Sequence, residues 1–135
     1  HTEDLLPINA LPAEATLFDR LGGRPVLEAT VEALYDRVLT DHDLAPFFEA
    51  ADMERLKRYQ VDFLSAAFGG PSTYKGASMS QAHAGMGIEA RHFDGVARHL
   101  TGALEALGVP QDLVAEVVRI VGSLKTEIVA ATTAD

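Results

Sequence analysis

The stretch DMERLKRYQVDFLSAAFGGP, residues 52–71, has the apolar spacing and the end signals of an amphipathic α-helix. At about 100° per residue, its less polar side chains fall on one face and its charged side chains on the opposite face. Asp52 is a preferred N-cap residue, and the run Gly-Gly-Pro at residues 69–71 is a strong helix terminator. The predicted inner face carries Met53, Leu56, Gln60, Phe63, Leu64 and Ala67.

Helical patterns of the same kind flank this stretch on both sides. Helices or helical turns are predicted over residues 16–21, 25–41, 80–84, 90–107 and 110–128. Glycine pairs and prolines separate them, and Pro46 marks a tight corner between the second helix and the quoted stretch. No segment alternates apolar and polar residues as a strand does, so the predicted fold class is all-α.

The length and charge of the chain limit the classes of protein to which it can belong. Its 135 residues fit one domain, predicted over residues 15–132 after an N-terminal arm over residues 1–14. A formal net charge of −9 disfavours nucleic acid and anionic membranes as partners, because both bind clustered Lys and Arg. The sequence has no Cys, which excludes disulfides, thiolate metal sites and haem attachment through a CxxCH motif.

The N-terminal stretch and the apolar runs bear on where the protein is expected to reside. No apolar run approaches the roughly 18 residues that a membrane-spanning helix needs. The N-terminal stretch lacks a cationic start followed by an apolar segment, so no signal peptide is expected. We therefore expect a cytoplasmic protein. We also expect it to be a monomer or a weak dimer.

Three polar side chains interrupt the apolar faces. Gln60 lies near the centre of the inner face of its helix, and Tyr35 lies within the apolar face of helix 25–41. A buried amide without a partner costs roughly 1–3 kcal/mol, so Gln60 needs a partner, which Tyr35 or a backbone carbonyl can supply. His83 is flanked by small residues, which leave room for a large flat group beside the imidazole. By themselves these residues define an all-α domain with a polar feature in its core and do not identify a cofactor.

The other histidines and the common catalytic motifs add no second site. No two histidines are spaced three or four residues apart, and HExxH, GxSxG and the phosphate-binding glycine motifs are absent. We expect His1, His42, His92 and His99 to be solvated or to lie at helix edges. Asp41 and Asp43 fall in a predicted turn, where capping is their expected role.

The order of these motifs resembles the first group of the truncated haemoglobins, over residues 16–130. The resemblance is carried by a first glycine motif, a helix with a distal tyrosine, an inter-helix corner, a distal helix with a glutamine, a second glycine motif and a segment around a proximal histidine. These are LGG at 21–23, LYDRVL at 34–39, APFF at 45–48, residues 56–63, GGP at 69–71 and AHAG at 82–85 with Ile88. The implied fold is a two-on-two helical sandwich around haem.

The resemblance implies a role for each of the three polar residues. His83 would be the single protein ligand to the iron of a non-covalent haem b, with the Met79 carbonyl accepting from its other ring nitrogen. Tyr35 would donate a hydrogen bond to a diatomic ligand, and Gln60 would donate to that ligand or hold Tyr35 in place. The implied haem contacts are Phe48, Leu56, Lys57, Phe63, Tyr74, Met79, Ile88, Phe93 and Val96.

Several positions depart from the family pattern. Tyr59 stands where some relatives have a second iron-ligating histidine, and the last helix has no His for a covalent haem link. Leu64 replaces a larger aromatic residue that gates an apolar tunnel in some relatives. Met86 is uncharged at a position that often carries a cation for the haem propionates, so Lys57 or Lys75 is expected to take that role.

Three functions follow as alternatives. The first is a haem protein that reversibly binds oxygen, nitric oxide and carbon monoxide and oxidises nitric oxide to nitrate with the help of a reductase. The second is a non-enzymatic gas sensor or oxygen carrier. The third is a haem-free helical interaction domain.

Overall fold

The computed structural model describes residues 15–71 and 89–125 of the chain. The regular elements of this part are all helical, which confirms the predicted fold class. They are α1 (Leu17–Leu21), α2 (Arg24–Val38), a 3-10 helix (Ala45–Phe48), α3 (Met53–Ala67), α4 (Ala90–Ala106) and α5 (Gln111–Gly122). The predicted arm and the predicted helical turn at 80–84 lie outside the described residues.

Capping residues set the start of α1 and the sharp turn into α2. The Thr16 hydroxyl accepts a hydrogen bond from the Asp19 N–H at 3.1 Å, as an N-cap does. Gly22 and Gly23 adopt φ values of 118° and 81°, which only glycine takes up at little cost. Pro25 then occupies the first turn of α2, where its missing N–H removes no helical hydrogen bond.

Helix α2 ends three residues before its predicted end at Asp41. The Thr40 hydroxyl donates to the Arg37 carbonyl at 2.8 Å, and the Asp41 N–H donates to the Val38 carbonyl at 3.0 Å. These local bonds replace the helical pattern with a turn. The chain then runs through Leu44, which is 2% exposed, into the 3-10 helix.

Helix α3 begins and ends at the predicted residues. The Asp52 carboxylate accepts from the Arg55 N–H at 3.3 Å, and Gly69 ends the helix with φ of 87°. The backbone of Gly70 is in close contact with the ring of Phe18, and a Cβ atom added to Gly70 would overlap that ring. The Phe18 N–H also donates to the Phe68 carbonyl at 3.0 Å, so α1 is fixed to the end of α3.

The helices pack as two pairs around one core. Helix α2 packs on α3, and α4 packs on α5, while contacts between α2 and α4 join the pairs into a two-on-two arrangement. Gly102 allows a close approach of the Arg37 side chain, whose guanidinium donates to the Gly102 carbonyl at 3.3 Å. The most deeply buried apolar side chains of the core are Leu27, Val31, Val38, Ala103, Leu104 and Val117.

The last predicted helix, residues 110–128, is interrupted after Gly122. Helix α5 ends there, and residues 123–124 form a turn. Glycine is a poor helix former, and the Ser123 hydroxyl donates to the Ile120 carbonyl at 2.6 Å, which competes with helical bonding. Ile128 itself lies outside the described residues.

Candidate functional site

Tyr35 and Gln60 form a hydrogen-bonded pair between α2 and α3. Tyr35 is 5% exposed, and its side chain is hydrogen-bonded to that of Gln60. Burial raises the pKa of the Tyr35 phenol to about 12, although the hydrogen bond with Gln60 opposes the shift. The phenol is therefore neutral at physiological pH and keeps its proton available for donation.

An aromatic side chain from the corner packs against this pair. Phe48, at the end of the 3-10 helix, meets the Tyr35 ring edge-on with centroids 5.5 Å apart and an angle of 78°. This edge-to-face geometry is favourable for aromatic rings. Phe48 therefore packs against the ring of Tyr35.

Helix α3 contacts the core through two faces that differ in burial. Leu56, Phe63 and Ala67, on the same face as Gln60, pack against the core but remain half-buried. The predicted inner face is this one, and only its edge residue Leu64 is buried.

The second face of α3 was missed by the sequence analysis. Val61 and Ser65 are 4% and 0% exposed, and the Ser65 hydroxyl donates to the Pro71 carbonyl at 2.6 Å. The predicted stripe on α3 was centred on the apolar residues and so stopped short of a serine. The hydrogen bond to Pro71 explains why a polar side chain can be fully buried there.

The remaining predicted haem contacts are distributed unevenly. Val96 on α4 is half-buried against the same core, and Phe93 is half-buried one turn earlier. The Lys57 ammonium pairs with the Glu32 carboxylate of α2 at 3.1 Å. The predicted residues His83, Tyr74, Met79, Ile88, Lys75 and Met86 lie outside the described residues.

The expectation that His92 is a solvated or edge residue is wrong. His92 is 8% exposed, and its Nδ1 accepts a hydrogen bond from the Glu89 N–H at 2.9 Å. Its ring also meets Phe47 edge-on with centroids 4.8 Å apart. His92 is buried because it caps the start of α4, not because it belongs to the apolar face of the helix, so the spacing of apolar residues did not predict its burial.

The family of the chain follows from comparison with known proteins. A family model for bacterial-like globins matches residues 16–130. The chain is a group 1 truncated haemoglobin. It is 48% identical over 114 residues to the group 1 truncated haemoglobin GlbN of Mycolicibacterium paratuberculosis, and the match covers 84% of each protein. The resemblance inferred from the sequence is thereby confirmed.

Solved truncated haemoglobins share the fold of this one. That of Tetrahymena pyriformis, in its Fe(III) form, has a TM-score of 0.82 at 33% identity, covering 85% of this chain and 98% of that protein. The 2/2 haemoglobin of Synechococcus sp. PCC 7002, in the cyanomet state with covalently attached haem, has a TM-score of 0.81 at 38% identity, with the same coverage. The protein is a haem globin of the 2/2 fold, and the haem-free alternative is set aside.

The described residues of this truncated haemoglobin fit a haem. Phe48, Leu56, Phe63 and Val96 keep apolar surface that the helices around them do not fully cover. A large flat group can cover such a surface, and the protonated Tyr35 phenol lies beside it.

None of the described helices is long and apolar enough to cross a membrane.

Proposed function

We propose that this truncated haemoglobin reversibly binds oxygen and other diatomic gases, and that it oxidises nitric oxide to nitrate with bound oxygen. The observation that carries the proposal is the hydrogen bond between the buried Tyr35 phenol and the half-buried Gln60 amide. The phenol keeps its proton, and the half-buried Phe48 packs against its ring. A protonated hydroxyl in an apolar site is suited to stabilising a ligand that gains negative charge.

The residues that would hold the haem come from both helix pairs. We assign the iron ligand to His83 and apolar contacts to Phe48, Leu56, Phe63, Phe93 and Val96. Tyr74, Met79 and Ile88 complete the proposed set, with the Met79 carbonyl as the acceptor for the second ring nitrogen of His83. Lys57 is left out, because its charge is already paired with Glu32.

Tyr35 and Gln60 would discriminate between ligands by hydrogen bonding. When bound, haem supplies an iron with one position for the histidine and one for a diatomic gas. The Tyr35 O–H would donate a hydrogen bond to a bound gas that gains partial negative charge, as oxygen does on binding, and much less to carbon monoxide. Gln60 orients the phenol through the hydrogen bond already present. Phe48 limits the movement of the Tyr35 ring.

The proposed oxidation needs an external electron. Nitric oxide, oxygen and one electron balance to give one nitrate ion, so a reductase must supply one electron for each turnover. A sensor or carrier would need no such supply, and this difference separates the two alternatives that remain.

Nitric oxide consumption tests the proposed activity. The oxygenated protein is mixed with nitric oxide, and nitrate is measured together with the loss of the oxygenated spectrum. We expect one nitrate for each nitric oxide, and repeated turnover when a ferredoxin reductase and NADPH are added as a probe reductant. A protein that binds oxygen stably but forms no nitrate would be a carrier or sensor.

The ligand assignment is tested by His83→Gly. The variant should lose the proximal bond, and added imidazole should partly restore the ferrous carbon monoxide spectrum, since the freed position can take an exogenous ligand. His42→Gly, an exposed histidine on the corner, is the matched control and should leave the spectrum unchanged. An unaltered spectrum and unaltered haem retention in His83→Gly would assign the iron to another residue.

A further inference from the structure

The corner, residues 39–48, comprises the turn after α2 and the 3-10 helix, and polar side chains connect it to α4. His99 Nε2 lies 2.8 Å from Asp41 Oδ2, with about a quarter of each side chain exposed. The guanidinium of Arg91 lies 2.9 Å from Asp43 Oδ2. Since Arg91 and Asp43 are both more than half exposed, water screens that second pair, and we expect it to contribute little.

Apolar contacts follow the same line along α4. Leu44 is 2% exposed and packs over Gly95, where an added Cβ would lie 3.4 Å from the Leu44 Cδ1. Phe47 meets the ring of His92 edge-on. From Asp41 through Leu44 to Phe47, the contacted residue on α4 moves from His99 through Gly95 to His92, while the long side chain of Arg91 reaches back to Asp43. The corner is therefore laid antiparallel along α4.

Asp41 is the residue from which this corner is built. Its Oδ1 accepts from the Asp43 N–H at 2.9 Å, and its carbonyl accepts from the N–H groups of Leu44 and Ala45 at 3.0 and 2.8 Å. The second carboxylate oxygen is left for His99. The position of Asp41 thus sets where the 3-10 helix begins and where Phe48 is placed.

The line of contacts ends at the candidate site. His99 is hydrogen-bonded to Asp41, and Asp41 accepts hydrogen bonds from the backbone of the corner. The last residue of the corner, Phe48, packs against the Tyr35 ring. We propose that His99 is a positioning residue that sets the orientation of the Tyr35 hydroxyl through Asp41 and Phe48. This inference rests on the proposed role of Tyr35 as the donor to the gas ligand.

The chemistry of the pair explains why a histidine suits this position. A carboxylate oxygen only accepts hydrogen bonds, so the His99 Nε2 must carry a proton. That N–H is present in one neutral tautomer and in the charged ring, so the contact does not depend on a particular charge of His99. A glutamine can place an amide N–H at a similar distance, whereas a leucine fills the space without a donor.

The test compares His99→Leu with His99→Gln in the haem-loaded ferrous carbon monoxide complex. The infrared C–O stretch reports hydrogen bonding to the ligand, and a merely structural contact would not shift it. We expect His99→Leu to move part of the band toward its position in Tyr35→Phe and to speed oxygen dissociation roughly 3- to 10-fold, less than full loss of the hydrogen bond would. His99→Gln should restore both. Asp41→Asn, which keeps an oxygen for the Asp43 N–H, is a second test of the contact and should give a smaller shift of the same sign.

Two comparisons separate this inference from the proposed function. Arg20→Met removes an ion pair between α1 and α5 that does not involve the corner, and it should leave the band in place. A shift in Tyr35→Phe with none in His99→Leu or Asp41→Asn would overturn the positioning role alone, even if both variants melt at lower temperature. Unchanged oxygen dissociation in Tyr35→Phe would overturn the proposed donor role of Tyr35.

Discussion

Tyr35 combines an apolar ring that packs in the core with a buried hydroxyl that needs a hydrogen-bond partner. Its ring packs in the core, while its oxygen is satisfied through Gln60. Because burial favours the neutral phenol, the proton stays on Tyr35 across the physiological pH range. Removing the hydroxyl while keeping the ring therefore isolates the hydrogen bond from the packing.

Tyr35→Phe is expected to speed oxygen dissociation far more than carbon monoxide dissociation. A hydrogen bond to a partly charged acceptor is worth about 1.5–3 kcal/mol, and each ~1.4 kcal/mol corresponds to a factor of ten. Oxygen dissociation should accordingly rise roughly 10- to 100-fold. Stopped-flow measurement with both gases checks this. Equal effects on the two gases would mean that Tyr35 only shapes the pocket.

Gln60→Leu should act in the same direction but more weakly if Gln60 mainly orients Tyr35. The double variant should then resemble Tyr35→Phe, since groups in one network are not additive. Dissociation rates of oxygen from the four proteins form the double-mutant cycle. Additive effects would show that Gln60 contacts the ligand independently of Tyr35.

The pKa of Asp41 offers a test of the corner in solution. The hydrogen bond from His99, together with that from the Asp43 N–H, holds the pKa of Asp41 below its ordinary value of 3.8. A carboxyl with a lowered pKa in the folded state stabilises the fold above its unfolded pKa, and that contribution disappears as the pH falls through the folded pKa. The effect on stability therefore lies below about pH 4.

Carbon-13 NMR titration of the Asp41 carboxyl should show this low midpoint in the unmodified protein. His99→Leu should move the midpoint up toward the ordinary value, because the first cause of the shift is removed. Lys125→Met, which removes a distant ion pair with Asp94, is the control and should leave it unchanged. A midpoint that stays low in His99→Leu would assign the shift to the Asp43 N–H.

At the level of single residues, the sequence predicted the polar exceptions but not every buried histidine. Tyr35 and Gln60 stand out because they interrupt apolar faces, and the structure pairs them. His92 gives no such signal, since its burial arises from a cap to Glu89 and a contact with Phe47 that is distant in sequence. Tertiary contacts of this kind leave no period in the sequence.

Among the helices, α3 shows how one element serves both the core and the site. Its residues Val61, Leu64 and Ser65 are buried, while Leu56 and Phe63 remain half-buried beside Tyr35 and Gln60. Helical periodicity predicted one inner face centred on the second group. Which face is covered by helices and which is left for a ligand depends on where α2 lies, and the pattern of α3 alone does not contain that information.

The end of α3 depends on the absence of a side chain at Gly70. A Cβ atom there would overlap the Phe18 ring, which is 7% exposed and held by the core. Because the ring has little room to move, Gly70→Ala should destabilise the protein by about 1–3 kcal/mol, the usual cost of overpacking. Chemical denaturation of the haem-loaded protein measures this change in the free energy of unfolding.

Gly122→Ala is the matched control for this substitution. Gly122 is the last residue of α5, is exposed, and has no atom within 4 Å of an added Cβ. Alanine there should leave the stability unchanged or raise it by up to about 1 kcal/mol through helix propensity. Equal destabilisation in both variants would mean that the contact with Phe18 is not the cause.

For the whole molecule, the order of the helices was accessible from the sequence, and their ends less so. Periodicity and capping residues placed α1, α3 and α4 within about a residue of their observed bounds. The end of α2 was placed too late, and the interruption after Gly122 was missed, because Thr40 and Ser123 bond locally to backbone carbonyls. The family then followed from motif order, which no single motif could have supplied.

The last prediction concerns haem and the stability of the whole protein. The proposal of non-covalent haem b implies one equivalent per chain, a Soret band, and complete extraction of the haem by acid and acetone. If haem contacts the half-buried side chains Phe48, Leu56 and Phe63 as proposed, its removal exposes apolar surface, so the extracted protein should melt at a lower temperature. A ligand that binds only the folded state at 1,000 times its Kd adds about 4.1 kcal/mol, so one equivalent of haem should restore the higher melting temperature.

Absorption spectroscopy and thermal melting before extraction, after extraction and after reconstitution check each step. Apomyoglobin reconstituted in parallel controls for damage by the solvent. Haem that stays with the protein after extraction would indicate a covalent link. Because the sequence contains no cysteine, that link would have to involve another type of side chain. Reconstitution without a Soret band would contradict the haem assignment itself, since the apolar surface beside Tyr35 would then have another occupant.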